Sequence, residues 1–179
     1  MVDARDLKSL VPKGRTGSSP VSGTKIIKGK QQMEKLIIRD IKEDDITSIL
    51  EIEQISFSTP WSREFFLNEL YEKYALSKVA VFEGNVIGYI CADYQHHEAH
   101  ILNLAVHPDF RRRGVATLLM HEAMRELKKE GCVFLYLKVR ASNTDAQKFY
   151  EIFGFKVESV RKKYYGDPDE DALQLMARL

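Results

Sequence analysis

The chain has 179 residues, enough for one domain with a sizeable core and little room for a second. Its composition, 44% hydrophobic and 30% charged, is typical of globular proteins, and a net charge of +1 argues against a dedicated nucleic-acid binder. No apolar run approaches the roughly 20 residues of a membrane helix. Cys91 and Cys132 lie in apolar runs without C-x-x-C spacing, so we expect buried thiols and a cytoplasmic protein.

The first 32 residues differ from the rest of the chain. Residues 14–24 are rich in Gly, Ser, Thr and Pro without hydrophobic periodicity, and basic residues outnumber acidic ones around them. We expect residues 1–32 to be a disordered or non-native extension and residues 33–179 to form the domain. A basic tail that contacts RNA or the ribosome is the alternative interpretation.

The first half of the domain combines two helices with three strands. Asp44 or Asp45 is expected to cap a helix with an apolar stripe at Ile46, Ile49 and Leu50. Ser62 is expected to cap a second helix that runs to about Tyr74, with Trp61 and Phe66 at hydrophobic-staple spacing. The predicted strands in this half are 36–38 and a hairpin formed by 78–82 and 86–94.

The second half alternates strands and helices. A strand at 99–106 precedes a long helix that begins near Val115 and stops at Gly131. A second helix begins at Asn143 and ends at Gly154, with an apolar face at i, i+3, i+4 and i+7. The remaining predicted strands are 133–139, 156–164 and 172–177. This order predicts an α/β fold with a mixed central sheet flanked by helices and a strand–helix–strand unit.

The junction between strand 99–106 and the long helix carries the clearest chemical signal. His107 and Pro108 end the strand, and a basic loop containing Gly114 leads directly into the helix. Unpaired N–H groups and the helix dipole favour an anion at such an N-terminus, and glycine allows a ligand to approach the backbone. The pattern therefore predicts a phosphate or pyrophosphate site. A solvated arginine loop with an ordinary glycine turn is the simpler alternative.

The same loop resembles the acetyl-CoA motif of the GNAT superfamily, R/Q-x-x-G-x-G/A, with Arg111, Gly114 and Ala116 at its defined positions. The resemblance covers nearly all of residues 33–179. Residues 171–178 resemble archaeal N-terminal acetyltransferases. Similarity to the ribosomal-protein-alanine acetyltransferase (RimI) group is found at 61–62, 103–106, 139–143, 149–151, 154–155 and 164–165. The resemblance implies a GNAT fold and transfer of acetyl from acetyl-CoA to the α-amino group of protein N-termini.

The resemblance also implies which residues bind acetyl-CoA. Main-chain groups of the strand would hold the pantetheine arm and the thioester oxygen, and backbone groups of the loop would hold the pyrophosphate. Asn143 matches a family position that contacts the coenzyme, and it is equally a helix N-cap. The complete set is Leu104, Ala105, Val106, Arg111, Arg112, Arg113, Gly114, Val115, Ala116, Thr117, Asn143 and Tyr150.

Three residues are catalytic candidates. Tyr150 matches the tyrosine that protonates the leaving thiolate, although core packing would also explain it. His100 matches a histidine of the archaeal relatives, and imidazole titrates in the range needed to deprotonate an α-amino group, whose pKa is about 8. Lys138 stands where relatives usually have a glutamate implicated in deprotonation. Either Lys138 disfavours the ammonium form of the substrate, or the enzyme is slow or altered in substrate choice.

Further expectations concern the peptide and competing functions. Trp61, Tyr164 and Tyr165 are expected to line the peptide cleft, with core packing as the alternative for Trp61. A metal site at His96, His97 and His100 lacks a matching ligand set, so no metal is expected. The competing functions are acetylation of lysine side chains or small amines, acetyl-CoA binding with little turnover, and RNA binding. The preferred N-terminal residue and the oligomeric state stay open.

Overall fold

The computed structural model describes residues 36–179, so the expectations for residues 1–32 lie outside the described part. Within it, neighbouring strands are antiparallel except for one parallel pair, β4 and β5, which confirms the predicted mixed sheet. The strands are β1 (Leu36–Asp40), β2 (Ala75–Phe82), β3 (Asn85–Gln95), β4 (Glu98–Val106), β5 (Phe134–Arg140), β6 (Lys156–Gly166) and β7 (Asp169–Arg178). Their spatial order is β1-β2-β3-β4-β5-β7-β6.

Four α-helices in residues 36–179 cover the two faces of the sheet. They are α1 (Ile46–Ser56), α2 (Arg63–Tyr71), α3 (Val115–Lys129) and α4 (Thr144–Ile152). Side chains alternate between the faces along each strand. Tyr89 and Cys91 therefore pack beneath α1 and α2, while Ile90 and Ala92 belong to the larger core beneath α3 and α4. The two cysteines are free thiols and are buried, as predicted.

Three helix starts show how local sequence sets these elements. Ser62 Oγ accepts the Phe65 N–H at 3.3 Å, and Asn143 Oδ1 accepts the Ala146 N–H at 3.2 Å, which confirms both predicted caps. The Asp45 carboxylate, by contrast, makes no hydrogen bond to α1. It binds the Arg39 guanidinium at 2.6 and 2.8 Å and accepts the Lys42 N–H at 2.7 Å. Asp45 therefore occupies the expected N-cap position of α1, but its carboxylate does not make the capping hydrogen bond.

The strand–helix–strand unit β4–α3–β5 contains a gap in the sheet. β4 and β5 pair only over Glu98–His100 and Phe134–Tyr136. Beyond His100, β4 has β3 as its neighbour on one side and the gap on the other. The gap positions the candidate functional site.

No helix in the described part of the chain is long and apolar enough to cross a membrane.

Candidate functional site

A cavity of about 250 Å³, termed here the β4–β5 cleft, lies where the two strands separate. His100 and Lys138, two of the predicted catalytic residues, both line it. Tyr136 and Lys138 alternate along β5 with Leu135, Leu137 and Val139 of the core beneath α3 and α4, so the cleft opens on the face of α1 and α2. Its lining is Asp93, His100, Ile101, Leu102, Tyr136, Leu137, Lys138, Arg161 and Gln174.

His100 is held by a neighbour on each side. Its Nδ1 lies 3.2 Å from Asp93 Oδ1, and its ring stacks on Tyr136 with centroids 5.4 Å apart at an interplanar angle of 26°. Asp93 and His100 are directly paired across β3 and β4, which places their side chains on the same face. Sequence reasoning missed Asp93. A carboxylate at Nδ1 favours the tautomer in which Nε2 is free to accept a proton.

Lys138 is a cation buried in the wall of the cleft. It is 8% exposed, and its Nζ lies 5.1 Å from the centroid of the Tyr164 ring, a cation–π contact. A protonated amine cannot act as a base. A protonated Lys138 can therefore affect the chemistry of this cleft only through its charge and its contacts.

Tyr164 and Tyr165 lie beside β5, against its two buried cations. Arg140 stacks over Tyr165 at 4.0 Å, and Tyr165 is 6% exposed, whereas Tyr164 is half-buried. The rings lie 5.3 Å apart, so they do not point to opposite faces as expected of a regular strand. Lys163, at φ 48°, and a register shift after Arg161 interrupt the alternation. Of the two tyrosines, Tyr164 is the more exposed residue.

Trp61 belongs to the core beneath α1 and α2. It is 5% exposed, and its ring lies 4.0 Å from Phe65 and 5.3 Å from Phe66 between centroids. Its backbone N–H donates to Glu53 Oε1 at 2.9 Å. Among the described residues the indole Nε1–H finds no hydrogen-bond acceptor. Packing accounts for the burial of Trp61, and its indole N–H is itself buried.

A second cavity of about 300 Å³, termed the loop cavity, lies between the start of α3 and α4. Gly114 precedes α3 with φ +84°, a backbone region that L side chains rarely adopt, and a Cβ placed there would contact nothing within 4 Å. Gly114 and the first three residues of α3 line this cavity, so the first helical turn, whose N–H groups have no partner within the helix, lies at its wall, as an anion site requires. The lining is Val106, Phe110, Arg111, Arg112, Gly114, Val115, Ala116, Thr117, Phe149 and Ile152.

The Arg111 side chain anchors the loop. Its Nε–H donates to the Val106 carbonyl at 2.9 Å and its Nη2 to Ser56 Oγ at 3.1 Å. Burial lowers the pKa of the Arg111 guanidinium from its usual value. Arg113 lies over the Phe110 ring at 5.3 Å. The loop therefore offers a ligand its backbone N–H groups together with the Arg112 side chain on the cavity wall.

Of the other predicted coenzyme residues, Val106 lines the loop cavity, while Leu104, Ala105, Asn143 and Tyr150 line neither cavity. Leu104, Ala105 and Val106 form the end of β4, where its main chain borders the gap. Asn143 caps α4. Tyr150 is 2% exposed in the core beneath α4, with its ring 5.3 Å from Phe149 and 5.6 Å from Phe155 between centroids. The end of β4 thus lies between the cleft on one face and the loop cavity on the other.

A buried carboxylate next to this strand was also missed from the sequence. Glu53 on α1 is 0% exposed and accepts hydrogen bonds from the Asn103 amide at 3.1 and 3.2 Å and from the Tyr89 hydroxyl. A signal was present, because Glu53 continues the stripe of Ile46 and Ile49 at i+7 and i+4. Glu53 ties α1 to β3 and β4 beside the gap.

The histidines of the β3–β4 turn do not meet at one point. His96 lies at the turn with φ 57°, and His97 Nδ1 lies 3.2 Å from the Gly131 carbonyl, away from the Asp93–His100 pair. Over residues 36–179 no three His, Cys, Asp or Glu side chains come together in a way that would hold a metal ion.

Comparison with known proteins assigns a family to this geometry. The [Ribosomal protein bS18]-alanine N-acetyltransferase of Haemophilus ducreyi is 38% identical over 133 residues, covering 74% of this chain and 91% of that protein. The N-alpha-acetyltransferase of Saccharolobus solfataricus is 32% identical over 162 residues, covering 83% and 96%. The crystal structure of the Escherichia coli ribosomal-protein-S18-alanine N-acetyltransferase superimposes with a TM-score of 0.75 at 30% identity, covering 80% and 93%. The sequence model of the acetyltransferase (GNAT) family matches residues 46–155, and the chain belongs to that family.

Proposed function

We propose that this protein is an N-alpha-acetyltransferase that transfers an acetyl group from acetyl-CoA to the free α-amino group of protein N-termini. The observation that carries the proposal is the position of the end of β4 between two cavities on opposite faces of the sheet. One cavity has the backbone of an anion site and the other has a histidine held by a carboxylate. The similarity to N-terminal acetyltransferases of bacteria and archaea supports the same conclusion.

The loop cavity is the site for the coenzyme. Backbone N–H groups from Arg111 to Thr117 bind the pyrophosphate at the positive end of the α3 dipole. Arg111 preserves the loop conformation through its bonds to Val106 and Ser56. The main chain of Leu104, Ala105 and Val106 binds the pantetheine arm, and an N–H from this segment stabilises the negative charge that develops on the thioester oxygen. Asn143 adds a contact next to the start of α4.

The β4–β5 cleft is the site for the amine. His100 takes a proton from the α-ammonium group, through a water molecule, and Asp93 holds the imidazole in the accepting tautomer. The neutral amine nitrogen attacks the thioester carbonyl carbon, a C–N bond forms, and the C–S bond breaks with its electron pair on sulfur. The Tyr150 hydroxyl protonates the leaving thiolate, and the second proton that the nitrogen loses as the amide forms passes through solvent and restores the Tyr150 hydroxyl. Lys138 disfavours the ammonium form of the amine by like-charge repulsion.

The peptide enters between two parts of the structure, with helices α1 and α2 on one side and the β6–β7 hairpin on the other. Tyr164 at the cleft edge and the Trp61 side chain contact the first residues of the peptide, while the Tyr165 ring packs against that of Tyr164. Ribosomal proteins are the first substrates to test, because the Haemophilus ducreyi relative is named for one. We place the reaction in the cytoplasm, where buried thiols such as Cys91 stay reduced.

The decisive experiment measures acetyl transfer to peptides that begin with free Ala, Ser, Met or Thr. N-terminally blocked peptides containing lysine, and spermidine, serve as competing acceptors. Transfer to free N-termini should fall about a hundredfold in His100→Ala. Tyr150→Phe, which keeps the ring packing, should also slow transfer. His96→Asn is the matched control, because His96 lies in the same turn region with an exposed side chain.

Each alternative function has its own signature in this assay. Transfer only to blocked peptides or spermidine would reassign the substrate to lysine side chains or small amines. Coenzyme binding without transfer to any acceptor would indicate a binding module, and recovery of transfer in Lys138→Glu would attribute the loss to that residue. Equal rates in His100→Ala and wild type would overturn the role of His100.

A further inference from the structure

We infer that Tyr136 is a positioning residue for the proposed acetyl transfer, because its ring fixes the orientation of the His100 imidazole. The inference rests on the proposed function and adds one residue to it. The two rings stack where β4 and β5 separate, and both residues line the β4–β5 cleft. Asp93 holds one ring nitrogen of His100, and Tyr136 covers one face of the same ring.

The strand register places the two rings against each other. His100 and Tyr136 are the last residue pair of the parallel β4–β5 ladder, beyond which the strands separate. Their rings stack at the start of the gap, with centroids 5.4 Å apart and an interplanar angle of 26°. Tyr136 also pairs with Met176 of β7 on the other side of its strand. The tyrosine ring therefore projects from a strand that is held in place independently of β4.

The contact with Asp93 is too exposed to fix His100 alone. The side chains of Asp93 and His100 are 49% and 44% exposed, so water competes for the contact between them. The torsion that turns the imidazole about its bond to Cβ has broad minima, and a half-turn would replace Nδ1 by a carbon atom. A turning ring would point its edge into the space that the Tyr136 ring occupies. The stack therefore opposes this rotation and keeps Nδ1 at the carboxylate.

Tyr136 is not itself a base. Burial, together with the Glu98 and Glu158 carboxylates, raises the pKa of the Tyr136 hydroxyl from its usual value. The hydroxyl is therefore protonated at neutral pH and takes no proton from the amine. Its contact with His100 is made by the face of the ring. Phenylalanine should consequently replace tyrosine at this position, whereas leucine, which lacks a flat ring, should not.

The orientation of His100 matters because one particular nitrogen must face the amine. Nδ1 lies at Asp93, so Nε2 is the nitrogen that is left for the substrate. A general base acts over hydrogen-bond distances, either directly or through one water molecule. A misoriented imidazole loses this contact although the peptide still binds. The effect of Tyr136 should therefore appear in kcat rather than in KM for the peptide.

The test combines a substitution series with a double-mutant cycle. Acetylation of a peptide with a free N-terminus is measured for wild type, Tyr136→Phe, Tyr136→Leu, His100→Ala and the double variant Tyr136→Leu with His100→Ala. Tyr136→Leu should lower kcat about tenfold and change KM for the peptide by less than about twofold. Tyr136→Phe should stay within about twofold of wild type, because it keeps the stacked ring. In the His100→Ala background Tyr136→Leu should have no further effect, since the side chain that it positions is gone.

Phe134→Leu is the matched control, since Phe134 lies two residues earlier on the same face of β5, is also half-buried and does not line the cleft. It removes an aromatic ring from the same strand and should leave kcat unchanged. Should Tyr136→Leu fail to fold, Tyr136→Thr completes the same cycle with a residue that is favoured in strands and has no ring to stack.

Three results would overturn the inference while the proposed function stands. They are an unchanged kcat in Tyr136→Leu, an equal loss of kcat in Tyr136→Phe, and a loss that persists undiminished in the His100→Ala background. A rise in KM in place of the fall in kcat would likewise overturn it, because Tyr136 would then act on the peptide directly. Lack of transfer to any free N-terminus by wild type would instead overturn the proposed function.

Discussion

Asp93 and His100 form a pair whose geometry is set by the β3–β4 hairpin. The two-residue turn at His96 and His97 aligns Gln95 with Glu98, and the antiparallel register then places Asp93 directly opposite His100. Their side chains meet at 3.2 Å between Oδ1 and Nδ1. The backbone register thus holds the carboxylate at one particular ring nitrogen of the imidazole.

Replacing Asp93 by Asn should change the tautomer of His100. An amide can donate its N–H to Nδ1, which stabilises the form protonated at Nε2, and that form cannot accept a proton there. We expect kcat/KM for free N-terminal peptides to fall about tenfold. Nitrogen-15 NMR of the imidazole measures the tautomer directly, and Asp93→Glu should restore part of both signals. A slower enzyme with an unchanged tautomer would contradict the positioning role.

Gly114→Ala and Gly131→Ala separate backbone strain from ligand binding. Both glycines have φ near +85°, at +84° and +86°, and a Cβ at either would contact nothing within 4 Å. Each substitution should destabilise the fold by about 1 kcal/mol through the strained backbone alone. Only Gly114→Ala should also weaken coenzyme binding, because its methyl group projects where the backbone approaches the phosphates. Calorimetric titration with CoA and urea unfolding check the two effects, and equal CoA affinity in the two variants would exclude a close approach at Gly114.

Glu53→Gln should destabilise the protein through a buried network. The amide keeps the shape of the carboxylate but brings an N–H group towards the donors of Asn103 and Trp61. We expect the free energy of unfolding to fall by about 1–3 kcal/mol. Glu51→Gln is the control, since Glu51 is exposed on the same helix and should change stability by less than about 0.5 kcal/mol. Equal stability of the two variants in urea would show that the network is dispensable.

Glu69 gives the fold a dependence on pH. Burial, with the nearby Asp93 and Glu72 carboxylates, raises the pKa of Glu69 from 4.5 to about 7. Between these values the native state binds a proton that the unfolded chain has lost, so the free energy of unfolding falls as pH rises. In Glu69→Gln the side chain does not titrate, so this fall in the free energy of unfolding is absent. Its stability relative to wild type should rise by roughly 1 kcal/mol from pH 4 to pH 8, a figure reduced for the partial exposure of the group.

Urea unfolding at a series of pH values measures this difference. Glu51→Gln again provides the reference, because an exposed carboxylate should give a curve parallel to that of wild type. A constant offset between Glu69→Gln and wild type across the range would mean that Glu69 ionises in the folded protein as it does in the unfolded chain.

The elements and the loop were predictable because each has a local cause. Ser62 and Asn143 accept N–H groups at their helix starts, and Gly131 has the positive φ expected of a helix stop. The helix α2 is shorter than expected. It ends at Tyr71 rather than near Tyr74, and the residues that follow it lead into β2. The basic loop opens α3 as its single glycine and arginines indicated.

The parts of the site that escaped prediction depend on contacts between distant segments. Asp93 meets His100 only through strand register, which follows once the two-residue turn is placed. Outside the site, the Asp45 carboxylate likewise binds the Arg39 guanidinium of β1 and makes no hydrogen bond to α1. The rings of Tyr164 and Tyr165 depart from strand alternation because of one residue, Lys163, with positive φ. Local periodicity contains none of this information.

The short pairing of β4 with β5 divides the sheet into two units. One unit is β1 to β4 and the other is β5, β7 and β6. In the described chain three strand residue pairs join them, at Glu98–His100 and Phe134–Tyr136, next to backbone hydrogen bonds from Val133 and Phe134 to His97. A molecule that fills the gap binds both units at once and therefore connects them beside the short β4–β5 pairing. Amide hydrogen exchange should therefore slow in both units when both substrates, or a bisubstrate analogue that joins them covalently, are bound. When the reactants occupy the gap through which they enter, the gap becomes the region that holds the two units of the sheet together.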